Sequence, residues 1–135
     1  MPQKWGILAA MVPEDEVYGR IGEAGFARLV AAFYRRIPSD DLLGPMYPRH
    51  DLAGAEQRLC DFLVGRFGGP QRYIARRGHP RLRMRHAPFA IDASARDRWV
   101  ALMDAALAEA ALEPDSAATL RAFFADTASF LINRG

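Results

Sequence analysis

The chain has 135 residues, half of them hydrophobic, which suits one domain with a single buried core. Its one cysteine, Cys60, excludes an internal disulfide and any thiol pair for zinc or redox chemistry, as is typical of a reducing cytoplasm. The 18 basic residues nearly balance the 16 acidic ones, and no window reaches the roughly 18 to 20 apolar residues of a membrane span, so we expect a cytoplasmic, unexported protein without a membrane partner.

Two amphipathic helices are predicted in the first half of the chain. Residues 22–37 carry apolar side chains at spacings of three and four, the pattern of one buried helical stripe, and Pro38 ends this helix. Asp51 can cap a second helix, which the glycines and proline at residues 68–70 end. The apolar residues that share a face of the second helix are Ala55, Leu59, Phe62 and Leu63.

The second half is predicted to hold a short segment, broken at Gly78 and Pro80, and two longer helices. Ser94 followed by Asp97 is a capping-box pattern, which predicts a helix that starts at Ser94. A last helix is expected over residues 116–132. No alternating run of β-branched residues competes with these patterns, so we predict an all-α domain of five or six helices.

An arginine-rich stretch, "RRGHPRLRMRHAPF" at residues 76–89, concentrates five arginines and two histidines in fourteen residues. Taken by itself, such a cluster indicates a solvated basic face or a nucleic-acid surface. The alternation in "RLRMR" predicts that Leu82 and Met84 face inward. The chain has no glycine-rich phosphate loop, HExxH, CxxCH or GxSxG motif, so its chemistry must come from scattered residues. The candidates are His50, His79, His86, Tyr34, Tyr47, Tyr73 and Trp99.

Three stretches of the chain resemble a known family in their order and spacing. They are "YPRHDLAGAEQRLCDFL", "GGPQRYIARRGHPRLRMRHAPF" and "RDRW", and they resemble the group II truncated haemoglobins, small bacterial haem proteins with a shortened helix-on-helix globin fold. The resemblance covers residues 17–132, and the string "HPRLRMRHAPF" is its most specific part. It implies a truncated globin domain over residues 17–135 around one haem, preceded by an N-terminal extension of unknown role at residues 1–16.

The resemblance implies where haem b and its iron bind without a covalent link. His86 matches the proximal histidine that ligates the iron, and its other ring nitrogen is expected to donate to a backbone carbonyl or a carboxylate. The resemblance also implies a role for the arginine-rich stretch, because guanidinium groups bind the haem propionates. The expected propionate contacts are Arg58, Tyr73, His79 and Arg83. The expected porphyrin contacts are Ala55, Leu59, Phe62, Met84 and Phe89.

On the other face of the haem, the family pattern matches Tyr34, Tyr47 and Trp99. Their O–H and N–H groups are implied to donate to the bound ligand, and the alternative is plain core packing with the polar tips satisfied elsewhere. Ala55 stands where ordinary globins have a distal histidine, which leaves space beside the iron. His50 is expected to be a surface or helix-capping residue instead of a sixth ligand.

We therefore expect a haem protein that binds oxygen and other small diatomic ligands reversibly at ferrous iron, with oxygen transport among the roles open to it. One alternative is a nitric oxide dioxygenase or peroxidase. It would need an external reductase, because the chain has no flavin or nicotinamide motif. Another is a haem-free helical module that binds nucleic acid through the arginines, although the resemblance argues for no nucleic-acid partner. A monomer and a homodimer are both left open.

Overall fold

A computed structural model describes residues 11–135, and the described part is all-α, as predicted. The described residues form six α-helices: α1 Val17–Arg36, α2 Leu52–Arg66, α3 Arg72–Arg77, α4 Leu82–His86, α5 Ala93–Ala110 and α6 Pro114–Phe130. Two short 3₁₀ helices lie at Glu14–Glu16 and Gly44–Met46, and residues 11–135 contain no strand. None of the described helices is long and apolar enough to cross a membrane.

Local sequence explains the starts of α2, α5 and α6. Asp51 caps α2 as predicted, since its side chain accepts a hydrogen bond from the Gly54 N–H at 3.1 Å. The predicted cap of α5 is wrong: Asp92, not Ser94, accepts from the Ala95 N–H at 2.9 Å, because Asp92 is the last residue with extended backbone before the helix. Pro114 opens α6 in its first turn, where the missing proline N–H costs no hydrogen bond.

The helix α1 is divided by Gly22, which has a φ of 68° and a ψ of 179°. That conformation is outside the range of side-chain-bearing residues, so the glycine allows the change of direction. Helix α1 packs against both α2 and α5, and α5 in turn packs against α6. Large side chains that are fully buried between these helices include Phe26, Leu29, Phe33, Leu63, Phe67, Met103 and Leu120.

Residues 11–16, part of the expected N-terminal extension, pack on the helices. Val12 is buried, and its carbonyl accepts a hydrogen bond from the Thr119 hydroxyl at 2.7 Å. Glu14 pairs with Arg66 at 2.8 Å. Residues 1–10 of that extension lie outside the described part of the chain.

Candidate functional site

A cavity of about 530 Å³ opens between the helices, within the range of about 300 to 1,000 Å³ that is usual for ligand pockets. Side chains from all six described α-helices line it, together with residues from the connecting loops. Its walls are largely apolar. They include Leu43, Ala55, Leu59, Phe62, Leu63, Phe89, Phe123, Phe124, Ala128 and Leu131.

His86 lines this cavity from the last position of α4. Its Nδ1 lies 2.7 Å from the carbonyl oxygen of Leu82, one helical turn earlier. A carbonyl can only accept, so Nδ1 carries the hydrogen and donates it. In the neutral ring the lone pair is then on Nε2, which is the form of imidazole that binds a metal. The sequence predicted that Nδ1 would donate to a backbone carbonyl or a carboxylate. The structure identifies this acceptor as the Leu82 carbonyl.

Trp99, Tyr47 and Tyr34 line the same cavity. The indole Nε1 of Trp99 donates to the Tyr47 hydroxyl at 3.2 Å, and the Tyr34 ring packs edge-on against Tyr47 with 5.6 Å between centroids. Burial raises the pKa of Tyr47 to about 12 and also raises the pKa of Tyr34. Both phenols therefore keep their hydrogens at neutral pH and remain potential donors.

Four arginines line the cavity, and the sequence predicted only one of them as a haem contact. Arg58 on α2 was predicted, whereas Arg77, Arg85 and Arg96 were not. Arg85 is held by the carbonyls of Pro80 and Arg77, at 2.8 and 3.2 Å, and its guanidinium lies 5.9 Å from the ring centroid of Tyr73, another lining residue. Helical spacing could have predicted the position of Arg85, because residues 82, 85 and 86 share one face of a helix.

The prediction that Leu82 and Met84 both face inward is half wrong. Leu82 lines the cavity, but Met84 is 58% exposed and lies outside the lining. The reason is that α4 is helical, so alternation with a period of two does not apply to it. The same geometry turns Arg83 outward, where its guanidinium lies 4.9 Å from the ring centroid of Phe130.

The two other histidines do not line the cavity. His79 is exposed, and its Nδ1 accepts the Arg81 N–H at 3.1 Å. His50 is also exposed and does not line the cavity, in agreement with its expected surface position. His86 is therefore the only histidine of the described residues that the fold places at the cavity.

Comparison with known proteins identifies the family. The model of the bacterial-like globins matches residues 16–133. Group 2 truncated hemoglobin YjbI of Bacillus subtilis is 36% identical over 117 residues, which cover 87% of this chain and 88% of the relative. The chain belongs to the group II truncated haemoglobins. This confirms the family and the fold predicted from the three sequence stretches.

Solved structures agree with this assignment. The hemoglobin of the thermophilic bacterium Chloroflexus aurantiacus superposes on this truncated haemoglobin with a TM-score of 0.85 at 42% identity, covering 91% of this chain and all of the other. A truncated oxygen-avid haemoglobin from Bacillus subtilis gives a TM-score of 0.82 at 36% identity, covering 87% and 98%. Family membership implies that the chain binds haem and, through it, small ligands such as oxygen.

The cavity of this truncated haemoglobin fits such a group. Apolar walls suit a porphyrin, and His86, whose Nδ1 donates to the Leu82 carbonyl, presents Nε2 as a ring nitrogen suited to an iron ligand. The guanidinium groups of Arg58, Arg77 and Arg85 suit the two propionate carboxylates. The donor set therefore combines the three chemistries that a haem site requires.

Proposed function

We propose that this globin holds haem b non-covalently, with His86 as the protein ligand of the iron, and that it binds dioxygen and other small diatomic ligands reversibly. Bound haem supplies the ferrous iron at which such a ligand attaches. The main observation in favour of the proposal is the hydrogen bond from His86 Nδ1 to the Leu82 carbonyl, which sets the metal-binding tautomer of this histidine. The same cavity also contains the hydrogen-bonded pair of Trp99 and Tyr47. A related Bacillus subtilis protein described as oxygen-avid supports the choice of ligand.

We propose that Tyr47, Trp99 and Tyr34 act on the bound ligand as hydrogen-bond donors. Their shared cavity supports this role, and the raised pKa values are consistent with both phenols having a hydrogen to donate. Ala55 is buried in the cavity wall and offers no donor, so the aromatic residues carry this task.

We propose that Arg58, Tyr73, Arg77 and Arg85 bind the propionates. All four line the cavity, and Arg58 is also within 3.3 Å of the exposed Asp51, a partner that it can exchange for a propionate. The expected contacts of His79 and Arg83 stay predictions. Both side chains are exposed on the segment that carries His86, next to the residues that line the cavity.

The visible absorption spectrum tests the proposal directly. After saturation with haem, the purified protein should take up one haem per chain and show histidine-ligated bands in its ferric and dithionite-reduced forms. Exposure of the reduced protein to oxygen should give the spectrum of a stable oxygenated form. A chain that takes up no stoichiometric haem would overturn the proposal. A salt-dependent nucleic-acid binding assay would then be the next experiment on the arginines.

The variant His86→Ala assigns the ligand. It should lose the five-coordinate ferrous spectrum and much of its haem affinity, because no other described histidine lines the cavity. The matched control is His50→Ala, which removes an exposed imidazole outside the cavity and should leave the spectrum unchanged. An unaltered ferrous spectrum in His86→Ala would remove His86 as the ligand.

A further inference from the structure

Asn133, which follows α6, is joined by hydrogen bonds to the loop that connects α4 to α5. Its Nδ2 donates to the carbonyl of Phe89 at 2.9 Å and to the carbonyl of His86 at 3.3 Å. Its Oδ1 accepts the Ile91 N–H at 2.9 Å. The main-chain N–H groups of Asn133 and Arg134 both donate to the Ile91 carbonyl, at 2.8 and 3.0 Å. One asparagine thus contacts the main chain of the loop at three places.

The loop needs such partners because α4 is short. It spans only Leu82–His86, and a helix of five residues is not stable in water by itself. The last carbonyls of any helix lack partners within the helix, and Pro88 has no N–H to offer them. The carbonyl of His86 receives the Phe89 N–H at 3.0 Å and the Asn133 amide at 3.3 Å instead.

These bonds act on the residue that faces the cavity. The imidazole of His86 is oriented through Nδ1 by the Leu82 carbonyl, at the start of α4. The main chain of His86, at the end of the same helix, is held by Asn133. We infer that Asn133 is a positioning residue for His86, which holds the end of α4 so that the imidazole keeps its direction into the cavity. The inference rests on the proposed role of His86 as the iron ligand.

The chemistry of an amide is required for this position. Asparagine supplies a donor for two carbonyls and an acceptor for one N–H. Aspartate would keep the acceptor for Ile91 but would place a carboxylate against the carbonyls of His86 and Phe89. Alanine would remove all three side-chain bonds and keep the main-chain pair. Asn133 is exposed, so neither change opens a cavity in the core.

The experiment compares Asn133→Ala and Asn133→Asp with the wild type, all loaded with haem. The matched control is Arg134→Ala, whose side chain reaches only the Asn133 carbonyl, at 3.4 Å. We expect haem transfer to excess apomyoglobin to become about tenfold faster in Asn133→Ala, as for the loss of about 1.4 kcal/mol, and at least as fast in Asn133→Asp. The iron–histidine stretching band of the reduced protein should shift or broaden in both variants and stay unchanged in Arg134→Ala.

Two results would contradict the inference. One is an Asn133→Ala variant that transfers haem at the wild-type rate and has an unchanged iron–histidine band. This result contradicts the inference even if hydrogen exchange at the Ile91 amide is faster, because the lost bonds would then affect only the loop. That result leaves the proposed function in place. The other is failure of the wild-type chain to take up haem, which overturns the proposed function and the inference together. Far-UV circular dichroism checks that each variant is folded, and Asn133→Asp provides a second variant should the alanine form be unstable.

Discussion

At the scale of single residues, the bond between Trp99 and Tyr47 decides which donors the cavity offers. An indole N–H can only donate, so the Tyr47 hydroxyl accepts at 3.2 Å and keeps its own hydrogen for another partner. The Phe33 ring, whose centroid lies 5.4 Å from that of Trp99, holds the indole in place. Of this pair, Tyr47 therefore keeps a hydrogen that it can donate to a ligand, whereas the Trp99 N–H is already engaged.

The change Trp99→Phe keeps the apolar bulk and removes the N–H. We expect oxygen release to become about ten- to a hundredfold faster, as for one charge-assisted hydrogen bond of about 1.5 to 3 kcal/mol. Dissociation measured by stopped flow on Trp99→Phe, Tyr47→Phe and the double variant checks this. If Trp99 acts through Tyr47, the two effects should not add. A dissociation rate that stays at the wild-type value in Trp99→Phe would make this tryptophan a packing residue only.

The pKa of Tyr47 gives a pH dependence with a definite sign. Burial raises this pKa to about 12 from an ordinary value of 10.0, so the folded protein favours the protonated phenol. The resulting stability is complete below pH 10 and is lost as the pH rises from 10 to 12. Chemical unfolding of the haem-free protein at several pH values should show a fall in this window that is smaller in Tyr47→Phe. Equal falls in both proteins would contradict the assignment to Tyr47.

At the scale of elements, a buried carboxylate attaches α3 to α2. Asp61 is 4% exposed, and it binds Arg76 of α3 at 3.2 Å and Gln57 of its own helix at 2.9 Å. Arg72, also on α3, lies 4.0 Å from Asp61 and is bound by both carboxylate oxygens of Glu23 at 2.9 Å. This network positions the short helix whose Tyr73 and Arg77 side chains line the cavity.

The change Asp61→Ala should lower the free energy of unfolding by about 1.5 to 3 kcal/mol, because it removes hydrogen bonds between charged groups in a buried place. The released arginines are partly exposed and can be hydrated, which keeps the loss below that of a fully buried pair. Asp97→Ala is the control, since Asp97 is 71% exposed in its pair with Arg96 and should contribute under about 1 kcal/mol. Denaturant unfolding of both variants measures the difference. Equal losses would show that α3 does not depend on Asp61.

At the scale of the whole molecule, the helices line a largely apolar cavity of about 530 Å³ that a packed core would not leave. Its walls come from both halves of the chain, from Tyr34 on α1 to Leu131 after α6. Any group that fills this space therefore joins the two halves. The stability of the globin should depend on its occupant.

Removal of haem should lower the melting temperature, because a ligand that binds only the folded state stabilises it in proportion to the logarithm of its concentration over its dissociation constant. Differential scanning calorimetry of the haem-free and haem-loaded protein checks this. The His86→Ala variant should show a smaller difference between the two forms. A melting temperature that does not respond to haem would argue against the cavity as its site.

The sequence by itself determined the helical architecture and the family. Apolar residues at spacings of three and four predicted α1 and α2, and Asp51 was correctly identified as a cap, since both signals are local. A five-residue helix is too short for its period to be distinguished from alternation. Met84 was therefore misplaced, and three arginines that line the cavity were missed, namely Arg77, Arg85 and Arg96.

The tertiary structure alone decided which groups meet. Trp99 and Tyr47 are 52 residues apart, and Asn133 and Ile91 are 42 apart. Even the local bond from His86 to the Leu82 carbonyl depends on α4, a short helix that is stable only through its tertiary contacts. The two long-range pairs leave no periodic pattern in the sequence, because they are brought together by the packing of whole helices. Their separation along the chain therefore does not predict that they meet.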